Sequence, residues 1–145
     1  MNEKIELYKQ IYQDANMAKT SIKDMKNGLK DKDNKIKDVL DDLIKEYTKY
    51  EKESKNTLKS LNSEPEKEGL IAKFMANMGI KKEIGNDNSD SHMAEVLIQG
   101  ISMGSINMDK KISDYEKKVN QEDIDYARSF LKYQEASIEK LKKYL

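Results

Sequence analysis

The one imidazole in this chain, His92, stands three residues before Glu95 in the run His92-Met93-Ala94-Glu95. Residues three apart share a helix face. This nitrogen donor and this carboxylate therefore form a candidate seat for a single divalent metal ion, completed by a carboxylate from the end of another helix. A di-iron carboxylate centre asks for more: one Glu from each of two helices and a Glu-x-x-His pair from each of two others. No Glu-x-x-His occurs here, and one histidine is too few. A simpler reading of Ser89 to Glu95 is structural, with Ser or Asp capping free amides and Glu95 adding negative charge near the positive end of a helix. His92 is also the only side chain with an ordinary pKa near neutrality, so a pH response read from sequence runs through it.

Other reaction chemistry lacks its parts. There is no cysteine, no base for a nucleophile apart from His92, and no Gly-Lys-Ser/Thr to cradle phosphate. The 27 basic and 27 acidic residues cancel, which leaves no net field to gather nucleic acid or an anionic membrane. Arg128 is the only arginine, and lysine is poorly suited to bidentate base or phosphate recognition. The N-terminus, MNEKIELYKQ, has no apolar signal core, so residence in the cytoplasm is expected.

A second set of polar residues falls on apolar stripes. Tyr47, Tyr50, Gln99 and Gln134 form a candidate polar layer, in which the tyrosine hydroxyls bond Gln134 or Gln99. Such a layer fixes helix register, or it lines a pocket for a small ligand. Glu46, Glu51 and Glu135 neighbour it and read as its solvated flank.

Four long helices must position these groups. Tyr8, Ile11, Ala15, Ala18, Ile22, Met25 and Leu29 repeat every three or four residues, the mark of one helical stripe closed at Gly28. Ile36, Leu40, Leu43, Tyr47, Tyr50, Ser54, Thr57 and Leu61 repeat it after a short charged turn, with Asp33 or Asn34 as the cap. Asn62 to Ser91 then breaks the pattern at Pro65, includes a short apolar stripe from Leu70 to Met78, and ends in a polar loop from Gly85.

The third helix, opening at Asp90 or Ser91, carries Met93, Leu97, Ile101, Gly104, Met108, Ile112 and Tyr115. Within it, Val96 to Met108 holds no charge although 37% of the chain is charged. That run predicts a helix wrapped by its neighbours, with the crossover helix against its second face. Gly100 and Gly104, four apart, admit a neighbouring backbone closely. At the next turn, Asn120-Gln121, a fourth helix begins, with Ile124, Ala127, Leu131, Gln134, Ile138, Leu141 and Leu145 as its stripe.

The tight first turn, long middle connection and short last turn predict an all-α fold. It is a ferritin-like four-helix bundle whose long crossover carries a short extra helix between helices two and three, in a single domain over residues 1–145. The run SHMAEVLIQGISMG at Ser91 to Gly104, with the opening IYQDANMAK at Ile11 to Lys19, resembles a family of small uncharacterised ferritin-like proteins of Firmicutes. That resemblance implies the same bundle and a metal-binding ancestry, and it assigns no activity.

The expectation is a non-enzymatic interaction or structural protein that needs no cofactor. Its partner is a second copy or another protein, with Ile98, Ile106, Tyr126 and Phe130 as the outward apolar positions of a homodimer. A metal-binding protein with a reduced site at His92 and Glu95 is the alternative.

Overall fold

The computed structural model describes residues 2–64 and 84–145, and the described residues are helical with no strand. Four long helices pack against one another: α1 (Asn2–Gly28), α2 (Lys37–Ser60), α3 (Asp90–Tyr115) and α4 (Gln121–Lys142). The expected crossover helix at Leu70 to Gly79 lies outside the described residues. Ile84 to Asn86 are helical, so the polar loop begins at Asp87 rather than Gly85.

Side-chain pairs fix the directions. Tyr8 meets Asp123 and Asp14 meets Gln134, so α1 and α4 run parallel. Tyr47 meets Ser137 and Glu53 meets Tyr126, so α2 and α4 run opposite ways. Lys111 reaches Gln10 while Gly104 faces Asp14, which sets α3 against α1. The chain thus goes up, down, down and up, and α2 and α3 start at the same end.

The α1 stripe is buried as its spacing predicts, from Tyr8 to Leu29. On α2 the stripe holds to Ser54, but Leu58 is then buried in place of Thr57 and Leu61. A straight helix has 3.6 residues per turn, so a strict 3,4 repeat drifts off the core within two heptads. Past its end, Asn62 takes a left-handed φ of 58°. Ser63 N–H bonds Leu58 C=O at 2.9 Å and Asn62 N–H bonds Lys59 C=O at 3.0 Å, a Schellman closure that satisfies carbonyls left free by the last turn.

The α4 register departs most from expectation. Asp123, Ile124, Ala127, Phe130, Gln134, Ser137 and Leu141 are the buried positions, so Ile124, Ala127, Gln134 and Leu141 lie where expected, while Leu131 and Ile138 are half-buried and Leu145 is exposed. Phe130, expected to face outward, is fully buried against Tyr47 and Tyr50, with ring centroids 6.2 and 4.9 Å away. Ile98 and Tyr126 are half-buried.

Neither Asp33 nor Asn34 caps α2. The Asp90 carboxylate does so from the first turn of α3, accepting the N–H groups of Lys35 at 3.1 Å and Ile36 at 3.3 Å, with Asn34 Nδ2 at 2.9 Å. One negative charge thereby faces the positive starts of two parallel helices. Ser89 caps α3 by accepting the N–H of His92 at 3.2 Å.

The uncharged run is only partly wrapped. Val96, Leu97, Gly100, Ile101, Gly104 and Met108 are buried, whereas Met103 and Ile106 are 52% and 68% exposed.

Candidate functional site

The buried polar chemistry of this molecule gathers halfway along the helices, around a carboxylate that spacing arguments passed over. Asp14 on α1 is buried. Its Oδ1 accepts Gln10 Nε2 at 2.9 Å and its Oδ2 accepts Gln134 Nε2 at 3.2 Å. The nearest cation, Lys111 on α3, reaches only Gln10 Oε1, at 3.4 Å. Burial without a directly paired charge disfavours the carboxylate form. Desolvation therefore raises the Asp14 pKa to about 7, against the opposing pull of the Gln10 and Gln134 hydrogen bonds and the Lys111 charge.

Gly104 makes this pair possible. A Cβ there would lie 3.1 Å from Gln134 Nε2 and 3.3 Å from Asp14 Cγ and Oδ2. The close approach that the glycine permits is thus to two side chains, not to a neighbouring backbone as expected. Alanine ordinarily strengthens a helix interior by up to about 1 kcal/mol over glycine, but here the methyl requires the buried Gln134 amide and Asp14 carboxylate to give way by a few tenths of an ångström. Gly104→Ala should lower the melting temperature, by a net loss of about 1 kcal/mol, because strain and a weakened buried hydrogen bond outweigh the helical gain. His92→Ala, at a half-buried helix start, should move it less; a Gly104→Ala protein that melts above wild type would refute the assignment.

Of the four residues expected in a polar layer, three are buried but they pair differently. Gln134 joins Asp14, and its Oε1 has no hydrogen-bond partner although the residue is 2% exposed. Tyr47 donates to Ser137 Oγ at 3.0 Å, and Tyr50 pairs with Ser129 Oγ at 3.2 Å. Burial pushes the Tyr47 phenol well above its ordinary pKa, keeping it neutral and a donor. Gln99 is exposed and takes no part: it follows Ile98 on the outer side of α3, while the neighbouring Gly100 faces inward. Of the flanking carboxylates, Glu51 holds Asn16 at 2.5 Å and Lys19 at 2.7 Å, Glu46 pairs with Lys49 at 3.6 Å, and Glu135 is exposed.

A cavity of about 20 Å³ lies against this layer, partly open to solvent. Asp14, Ser21, Tyr47 and Gln134 supply its polar lining; Gly100, Gly104 and apolar side chains from α1 and α3 complete it. Its volume suits one water-sized particle.

His92 and Glu95 sit elsewhere, on the first turn of α3, half-buried and exposed respectively. Among the described residues, no group of three or more His, Cys, Asp or Glu side chains is placed to hold a metal ion. A second buried acid, Asp123 at the start of α4, accepts the Tyr8 hydroxyl at 2.6 Å and lies 3.4 Å from Lys4 Nζ.

The missed acids carried a sequence signal. Leu7, Ile11, Asp14, Ala18, Ser21 and Met25 alternate by four and three, as do Asp123, Ala127, Phe130, Gln134, Ser137 and Leu141. A carboxylate inside such a register is buried by geometry, whatever its hydrophilicity.

No protein-family model, curated protein or solved structure matches this chain. Among the described residues, no helix is long and apolar enough to cross a membrane.

Proposed function

We propose that this protein is a non-enzymatic, ferritin-like helical bundle that works through macromolecular contact, and that the first partner is a second copy of itself on the outer face of α3. The up-down-down-up course of the helices and the long connection between α2 and α3 support the ferritin-like reading. The contact reading is carried by one observation. Met103 and Ile106, three apart on α3, are the large apolar side chains exposed on that helix, at 52% and 68%, and the neighbouring Gln99, Ser102, Ser105 and Asn107 carry no charge.

A two-fold contact favours that composition for a simple reason. Residues near the symmetry axis meet their own copies, so any charge there faces an identical charge. In a chain with 37% charged residues, a helix face without one suits such an axis. A partner of opposite charge would instead select a charged face, and the chain's balanced charge offers no long-range attraction to one.

Sedimentation at micromolar concentration should find a dimer. Ile106→Lys sets two cations beside the axis and should weaken association at least tenfold, with the helical content unchanged. A wild-type protein that sediments as a monomer at that concentration would overturn the reading.

A further inference from the structure

Five tyrosines form an unbroken row along the α2–α4 seam and onto α1. The Tyr47 and Tyr133 ring centroids are 5.1 Å apart, Tyr133 and Tyr50 6.1 Å, and Tyr50 and Tyr126 5.7 Å. Tyr126 then stacks on Tyr8 at 5.7 Å, with the ring planes 17° apart. Every step falls within the ~4.5–7 Å of aromatic rings in contact. Rings this close exchange an electron readily, because orbital overlap decays over a few ångströms.

The two ends of the row differ in where a proton can go. Tyr47 donates to Ser137 at 3.0 Å, Ser137 also hydrogen-bonds Tyr133, and Tyr50 meets Ser129 at 3.2 Å. A neutral serine hydroxyl is a poor proton acceptor. At the other end Tyr8 donates to the Asp123 carboxylate at 2.6 Å and Tyr126 to that of Glu53 at 3.0 Å, both within the reach of a general base. Burial, together with these carboxylates, holds both phenols above their ordinary pKa, so neither is a phenolate in advance. A phenol that loses an electron becomes strongly acidic, and its proton passes to the carboxylate already bonded to it. Packing alone would need the rings and not these hydroxyl–carboxylate pairs.

We propose that this row accepts a one-electron oxidising equivalent from a small oxygen-centred radical and settles it on Tyr8 or Tyr126 as a neutral tyrosyl radical. Half-buried Tyr133 and Tyr126 are the rings an oxidant reaches, and Tyr8, 6% exposed, is shielded. The oxidant gains one electron; the O–H bond of Tyr8 or Tyr126 breaks, and an O–H bond forms on Asp123 or Glu53. A one-electron donor then restores the electron, and the carboxyl returns the proton. The inference goes beyond the contact reading and does not depend on it, because the row lies on α1, α2 and α4 of one chain.

The test oxidises the full chain with photogenerated tris(bipyridine)ruthenium(III) and follows the tyrosyl radical by transient absorption and freeze-quenched EPR. Tyr115 and Tyr144, half-buried outside the row, are first replaced by phenylalanine to remove their signal. That protein should still form the radical, and adding Tyr8→Phe with Tyr126→Phe should abolish its long-lived part. Asp123→Asn with Glu53→Gln keeps all five rings and should slow radical formation about a hundredfold, the low end of what a positioned proton acceptor contributes. Loss of the radical with Tyr115 and Tyr144 would overturn the proposal, as would its persistence without Tyr8 and Tyr126 or an unchanged rate in the Asn and Gln variant. Should that last variant fail to fold, the phenylalanine series, which preserves the rings, decides alone.

Discussion

Asp14→Asn should make the protein more stable at pH 8, by on the order of 3 kcal/mol, and remove most of its loss of stability between pH 4 and pH 7. The sign follows from where the proton binds. In the unfolded chain Asp14 titrates near its ordinary value of 3.8, whereas burial raises the folded value to about 7. Between those two pH values the folded protein holds a proton that the unfolded chain has released, so stability declines as pH rises. Below pH 4 both states are protonated and the group contributes nothing; above pH 7 both are ionised and the full cost stands. At about 1.4 kcal/mol per pH unit, that cost is on the order of 4 kcal/mol. Asparagine recovers most of it and forfeits some hydrogen-bond quality with Gln10 and Gln134. Chemical denaturation of both proteins across this range is the measurement; parallel curves, or a variant weaker than wild type at pH 8, would show that Asp14 remains ionised and well solvated.

Phe130→Ala should cost about 3–5 kcal/mol, the usual range for emptying an aromatic site in a core. The ring is fully buried, edge-on to Tyr47 and at a steep angle to Tyr50. Those contacts sit on the α2–α4 seam, which Tyr133 continues, its centroid 5.1 Å from that of Tyr47. Removing Phe130 therefore unsettles several aromatic neighbours at once. Denaturant titration should show a lower midpoint for the variant. A protein that kept its midpoint but lost self-association would return Phe130 to the molecular surface.

These two residues mark where the sequence was legible and where it was not. Apolar repeats located all four helices, and on α1 every residue of the expected stripe is buried, although Leu7, Tyr12, Asp14 and Ser21 beside it are buried as well. On α4 two registers one residue apart were available. Ile124, Leu131 and Ile138 made the more hydrophobic choice; Ile124 is buried, together with Asp123, but farther along the core takes Phe130 and Ser137 ahead of Leu131 and Ile138. The difference is tertiary: Asp123 answers the Tyr8 hydroxyl and Ser137 answers Tyr47, partners 115 and 90 residues away. Hydrophobicity alone cannot see a polar group that is buried because its partner is.

The same blindness hid Asp14 and displaced the candidate site from the end of α3 to its middle. His92 and Glu95 drew notice by residue type, while Asp14 lay inside a stripe otherwise made of Leu7, Ile11, Ala18 and Met25. Gln134 was legible as a core amide; its pairing with Asp14 over 120 residues was not. The cap on α2 was misplaced for a related reason, since the sequence around Asn34 offers local candidates and the true cap comes from Asp90.

That shared cap has a consequence for the order of assembly. Each helix pair closes over a short connection, residues 29–36 for α1–α2 and 116–120 for α3–α4. Short closures cost little chain entropy and form early. Asp90 can reach the amides of Lys35 and Ile36 only after the two finished pairs have come side by side, and its bond to Asn34 spans 56 residues. The carboxylate should therefore act as a late latch: Asp90→Ala is expected to speed unfolding while leaving the folding rate nearly unchanged in stopped-flow kinetics.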